Sequence, residues 1–183
     1  YDSFQDCIRS AKEELSKTFH RFIDPPYWID GIKKIDISLN GQELESNDPF
    51  FGGKDPTQKL EEKILHSKNG NVTVIPFILP HYNKLTANQN AQLEGKEGYI
   101  KNQGFYVYRN NRLILYGTWF KLLPFGSLSK LTRISVDIPN TLDSSWKITV
   151  DKSEVQIPSI WKSELKKLVK NNIINKSEKV FRG

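Results

Sequence analysis

The apolar residues of this chain change their spacing twice: helical at the start, alternating through the middle, helical again at the end. A chain patterned this way can be neither all helix nor all sheet. From Phe4 to Phe22 the residues Phe4, Cys7, Ile8, Ala11, Leu15, Phe19 and Phe22 recur every three or four positions. Asp24-Pro25-Pro26 ends the run, because proline cannot continue the helical ladder. At the other end Ile160, Trp161, Leu165, Leu168, Val169 and Ile173 repeat the pattern after an opening at Pro158-Ser159.

The middle reads as hairpins. Ile32, Ile35 and Ile37 alternate with polar residues up to Asn40-Gly41, and Gln42 to Leu44 return from that turn as a short hairpin at a sheet edge. Lys63 to Ser67 and Val72 to Leu79 flank Lys68-Asn69-Gly70-Asn71, and the second run is apolar enough to lie centrally. Gly104 to Leu115 reads as strand, Asn110-Asn111 turn and strand, since asparagine tolerates positive φ. Leu131 to Ile138 is a further strand, and Trp146, Ile148 and Val150 another. Asp48 to Pro56 is a loop, Pro80 to Gln103 a long loop or a short loose helix, and Gly117 to Phe125 a short helix or turn. The sum is an α+β layout of about six to eight strands with helices at both ends.

Composition narrows the function more than the fold. No apolar stretch approaches the roughly 20 residues needed to span a bilayer, and no secretory leader opens the sequence. A soluble, cytoplasmic protein is the expectation. The single Cys7 excludes an internal disulfide and any zinc site built on several thiolates, and the three histidines have no metal-binding spacing, so no metal site is expected. Phe51-Gly52-Gly53-Lys54-Asp55 lacks the spacing and hydroxyl of a phosphate-cradling loop, and no serine sits in a nucleophile elbow. A self-sufficient enzyme is not expected. With no Met anywhere, the chain is expected to be a piece of a larger protein.

Charge is unevenly placed. Of the net +6, the segment from Lys162 onward carries seven basic and two acidic residues, or +5, which leaves +1 for the first 161 residues. Lys162, Lys166, Lys167 and Lys170 fall opposite the apolar face of the C-terminal helix. They read either as a solvated face or as a contact for nucleic-acid phosphates, with Tyr106, Tyr108 and Trp119 as stacking candidates.

One segment carries a resemblance. Asn102-Gln103-Gly104-Phe105-Tyr106-Val107-Tyr108-Arg109-Asn110-Asn111-Arg112-Leu113-Ile114 resembles the strand, Asn-containing turn and Arg of the second, or transducer, domain of the GHKL ATPases, the class of DNA gyrase B, MutL, the MORC proteins and heat-shock chaperones. Ile75-Pro76-Phe77-Ile78-Leu79-Pro80-His81, Trp146 to Val155 and the helix Leu15 to Ile23 resemble the same domain in the same order, so the likeness runs from about residue 13 to 172. The Glu-x-x-x-Asn-x-x-Asp and Asp-x-Gly-x-Gly boxes of the GHKL nucleotide site are missing, and so is the His-Pro that precedes the lysine in MutL.

The resemblance implies a ribosomal protein S-five domain-two-like transducer fold, a mixed sheet of hairpins with flanking helices. Residues 1–24 would be the connecting helix from an N-terminal ATP-binding module, 25–157 the transducer domain, and 158–183 a basic helix and tail. It also implies that Lys152, with Lys147 as runner-up, contacts the terminal phosphate of ATP in that module. Arg109 and Arg112 are candidates for contacting the module itself. The piece alone would hold no cofactor and be inactive; ATP and Mg²⁺ belong to the full-length protein, which could act on DNA and form a homodimer. The competing expectation is a nucleic-acid-binding module that uses the basic C-terminal helix.

Overall fold

A computed structural model describes residues 2–51, 57–147 and 156–182. The chain enters through α1 (Asp2–Thr18), bends at Phe19, and adds one more turn, α2 (His20–Ile23), which stops at Asp24 ahead of the proline pair. A small separate sheet follows. Its strands β1 (Ser38–Leu39) and β2 (Gln42–Glu43) are joined by Asn40 and Gly41 with φ of 53° and 74°, as a tight two-residue turn requires. The alternation of Ile32, Ile35 and Ile37 does not become strand. This stretch is irregular with Ile35 exposed, and the hairpin is not an edge of the main sheet.

The main sheet contains β3 (Gln58–Lys59), β4 (Lys63–Ser67), β5 (Gly70–Ile78), β6 (Gly104–Arg109), β7 (Arg112–Thr118) and β8 (Thr132–Ile138). Its order is β3-β5-β8-β6-β7, with β4 beside β3 on the same edge of β5. All pairs are antiparallel except β6 with β8, so the sheet is mixed. Pro76 explains why β3 and β4 are two strands. Its carbonyl accepts from the Leu60 amide at 2.9 Å, but proline has no amide to return, and the edge strand is interrupted from Leu60 to Glu62 opposite it. The β6–β7 turn places Asn110 and Asn111 at φ of 49° and 61°, as their chemistry allows.

Of the two readings of the polar stretch from Pro80 to Gln103, a long loop or a short loose helix, the helical one holds. The stretch forms a 3-10 turn (Tyr82–Lys84), α3 (Ala87–Glu94) and α4 (Gly98–Lys101). Thr86 and Gln89 build a reciprocal capping box at the start of α3, which starts a helix whose sequence has little amphipathic period. In the segment read as a short helix or turn, Gly117 and Thr118 end β7 and the residues from Trp119 to Phe125 take the turn alternative, with Phe120 and Lys121 at positive φ. Trp146 and Lys147 lie in a turn, not a strand, while Ile148 and Val150 fall outside the described residues.

Strand alternation sorts two cores onto the two faces. Val72, Val74, Phe105, Val107, Ile134, Val136 and Ile138 face α5 (Ser159–Leu168), a π-helical turn (Val169–Ile173) and α6 (Ile174–Arg182). Ile75, Phe77, Tyr106 and Tyr108 face the opposite way, where Phe50 and Trp28 cover them. The π turn has a sequence cause. Trp161, Leu165, Val169, Ile173 and Ser177 are buried at four-residue intervals, which would drift about 40° per step around an α-helix; a wider turn keeps the row facing inward. Among the described residues, no helix is long and apolar enough to cross a membrane.

Candidate functional site

The second face is not purely apolar. On β8 the inward positions of that face are Arg133, Ser135 and Asp137, alternating with Ile134, Val136 and Ile138 on the other. A charged stripe in the middle of a sheet must be paired, because an uncompensated buried charge costs several kcal/mol. Its main partner comes from α2. Arg21, 1% exposed, donates through Nη2 to Asp137 Oδ2 at 3.1 Å and to Ser135 Oγ at 2.8 Å, and through Nη1 to Asn111 Oδ1 at 3.2 Å and to Asp137 Oδ1. Ser135 Oγ donates to Asp137 Oδ2 at 3.0 Å, so the carboxylate is held from two sides. The guanidinium lies 3.4 Å from the centre of the Tyr108 ring, an attraction strengthened by exclusion of water.

Beside it, His20 Nε2 and the Tyr108 hydroxyl are 2.8 Å apart, and His20 Nδ1 lies 3.7 Å from Asp48 Oδ1. Burial holds the His20 pKa well below its ordinary value, and the Arg21 charge pushes it the same way; burial raises that of Tyr108. The histidine is therefore neutral at pH 7. A second buried arginine, Arg133, donates through Nη1 to the Pro49 carbonyl at 2.6 Å and through Nη2 to the Leu93 carbonyl in the last turn of α3, where a cation suits the helix dipole. Thus α2, the 48–50 segment and α3 are all tied to β6 and β8 by directional bonds. His20, Arg21 and Tyr108 are at most 1% exposed and cannot meet a diffusing substrate. The arrangement can hold a helix in one orientation; it cannot do chemistry on a ligand.

Toward solvent, α1 and the α3–α4 segment border a polar cleft of about 710 Å³. Lys96 bridges to Glu13 of α1 at 2.5 Å, and Lys17 sits 4.3 Å above the Tyr116 ring. Burial and the nearby Glu14 push the Tyr116 hydroxyl up to about 12.

The residues singled out from the sequence lie in different settings. Arg109 and Arg112 flank the β6–β7 turn. Arg109 forks onto Asp143, with Nε at 2.8 and 2.9 Å from the two oxygens and Nη2 at 2.5 Å, while Arg112 lies 5.3 Å from the Phe19 ring at the α1–α2 bend. Lys147 is exposed at φ 45°, in a turn rather than within a strand. Lys152 lies outside the described residues. Lys162, Lys166, Lys167 and Lys170 are all exposed. Tyr106, Tyr108 and Trp119, candidates for base stacking, are buried to within 1% and belong to the cores, so they cannot stack on a base. Among the described residues no group of His, Cys, Asp or Glu could hold a metal ion.

Sequence reasoning missed Arg21, His20, Arg133 and Asp137. The signal was there: Arg21 sits within the apolar run Phe19 to Ile23, where a solvated charge would be out of place, and Arg133, Ser135 and Asp137 share one face of a strand whose other face is fully apolar. Comparison of the chain with protein-family models, with curated proteins and with solved structures gives no match.

Proposed function

We propose that this chain is the transducer domain of a bacterial GHKL-type ATPase, MutL-like or MORC-like, that relays the nucleotide state of a neighbouring module. The observation that carries this reading is the Arg21 network. A relay needs its incoming helix fixed rigidly to its sheet, and α2 is held to β8 and to the β6–β7 turn by four hydrogen bonds from one buried guanidinium. The first turns of α1 fit the same reading, for Phe4 on the apolar face of the helix is 64% exposed, as a residue packing on a neighbouring module would be when viewed alone.

In this role Lys152 supplies a cation to the terminal phosphate, where charge grows during transfer. Because the sequence lacks the GHKL nucleotide boxes, Mg²⁺, ATP and the general base would belong to the neighbouring module. Arrival of the lysine would then report that ATP is bound, and the contact would fix the angle between the two units. The protein would work in the cytoplasm.

Steady-state ATP hydrolysis by the full-length protein tests the assignment. Lys152→Ala is expected to lower turnover at least about 100-fold, the scale of losing one transition-state charge contact, with nucleotide affinity nearly unchanged. Wild-type turnover in that variant removes Lys152 from the site, and if Lys147→Ala alone abolishes activity the role passes to Lys147.

A further inference from the structure

The four-residue period that produces the π turn has a second consequence. If Trp161, Leu165 and Val169 share one inward row, then Lys162, Lys166 and Lys170, each one position later, share the adjacent row, with Lys167 beside them. All four are exposed. Successive members stand about 6 Å apart along the axis, on a helix whose buried row is locked into the main core, so the charges are held on a line rather than scattered on mobile loops.

Among the described residues, Lys162, Lys166 and Lys170 have no carboxylate paired with them, while Lys167 borders the groove that Glu61, Glu62 and Lys63 line. The one carboxylate of α5, Glu164, pairs with Lys63 of β4, at 3.8 Å. No ion pair joins Lys162, Lys166, Lys167 or Lys170 to a described residue. A solvated face that only keeps a helix wet is better served by interspersed signs, as α1 is with Asp6, Arg9, Lys12, Glu13 and Glu14. A rigid row of one sign suits a polymer with regularly repeated negative charge.

We propose that the Lys162–Lys166–Lys167–Lys170 face of α5 and the π turn is a contact surface for the phosphodiester backbone of duplex nucleic acid. Binding through it is independent of base sequence, since the aromatic residues that could have read or stacked on bases are buried. It is also independent of the transducer role, because the surface lies on the helix layer of the sheet face opposite α2; failure of either reading leaves the other standing.

The test is fluorescence anisotropy of a labelled 20-base-pair DNA with the 183-residue chain over a salt series. Four phosphate contacts give a slope of log affinity against log salt of about −3.6, or roughly a 150-fold loss between 50 and 200 mM salt. Changing Lys162, Lys166, Lys167 and Lys170 together to Gln should bring that slope close to zero, and changing the same four to Arg should restore it. Changing Lys33, Lys34, Lys68 and Lys121 to Gln, an equal loss of charge at exposed sites elsewhere, should leave most of it. The proposal is overturned if wild type does not bind at 50 mM salt, if the two Gln sets weaken binding equally, or if polyglutamate of matched charge displaces the DNA as well as unlabelled duplex does. A duplex RNA that competes as well as DNA sustains it and assigns the surface to either backbone.

Discussion

Helices cover both faces of the sheet, and they are held there by opposite means. On one face the row from Trp161 to Ile173 buries apolar side chains against Val74, Val136 and their neighbours, and Trp161 meets Trp146 at 5.5 Å between ring centres. On the other, the single turn of α2 sends a histidine and an arginine into the protein and docks by hydrogen bonds and an ion pair. Apolar burial is strong but nearly indifferent to small slides and rotations. A guanidinium shared among Asp137, Ser135 and Asn111 accepts one position and orientation only. The C-terminal layer is thus a fixture held by burial, whereas α2 is held in one orientation, as a joint in the proposed relay would have to be.

The largest effect is expected from the fixture. Trp161→Ala removes a side chain that is 4% exposed from the centre of the helix layer, and should cost about 3–5 kcal/mol in urea denaturation. A loss below about 1 kcal/mol would mean that the layer contributes little and that the contrast between the faces is misplaced. The joint comes next. Asp137→Ala leaves the buried Arg21 charge without its carboxylate and should cost about 3 kcal/mol, somewhat less than a fully enclosed pair because Asp137 is itself 27% exposed at the side chain. The sharper form is the pair Arg21→Met with Asp137→Leu. Recovery of most of the stability, but with α1–α2 no longer protected from hydrogen exchange, would separate orientation from stability as the function of the network. Recovery of both would show that apolar contact fixes α2 equally well.

The smallest effect is the pH dependence of the joint. His20 has a lowered pKa in the folded chain, so below about pH 6.5 the unfolded chain takes up a proton that the folded chain refuses. His20 therefore contributes stability that is present above about pH 6.5 and is lost as pH falls below it, with a limiting slope of about 1.4 kcal/mol per pH unit. Burial and then the Arg21 charge set this direction; Asp48 from the 44–50 segment, at 3.7 Å, and Tyr108 from β6 also face the ring. Urea titrations between pH 5 and 7.5 should show this slope in wild type and lose it in His20→Gln; equal slopes would place the titration elsewhere.

What could be read from the sequence follows the same division. Elements set by local chemistry were legible: the amphipathic α1, the Asn110-Asn111 turn, the apolar β5, the opening of α5 at Pro158. So was the α+β layout they add up to. Elements decided by tertiary partners were not. Ile32 to Ile37 alternate like a strand but find no neighbour to pair with. The α3 helix has too little amphipathic period to be told from a long loop, although Thr86 and Gln89 hold the letters of its cap. The interruption at Leu60 follows from a missing amide on a different strand. Arg21 and Arg133 were not singled out because burial of a charge depends on its distant partners, Asp137 for one and the carbonyls of Pro49 and Leu93 for the other. The lysine row was visible as composition, while its straightness and lack of partners needed the π turn and the Lys63–Glu164 pair.

The most direct test of the proposed transducer role is amide hydrogen exchange across the full-length protein, with and without a non-hydrolysable ATP analogue. If α2 is the joint, the analogue should change protection in α1, α2 and the 44–51 segment by tenfold or more, while the amides of α5 and α6 hold their rates. Unchanged protection at α2 with the analogue bound would contradict a relay through Arg21, and a change confined to α5 and α6 would move the working part of the molecule to the opposite face.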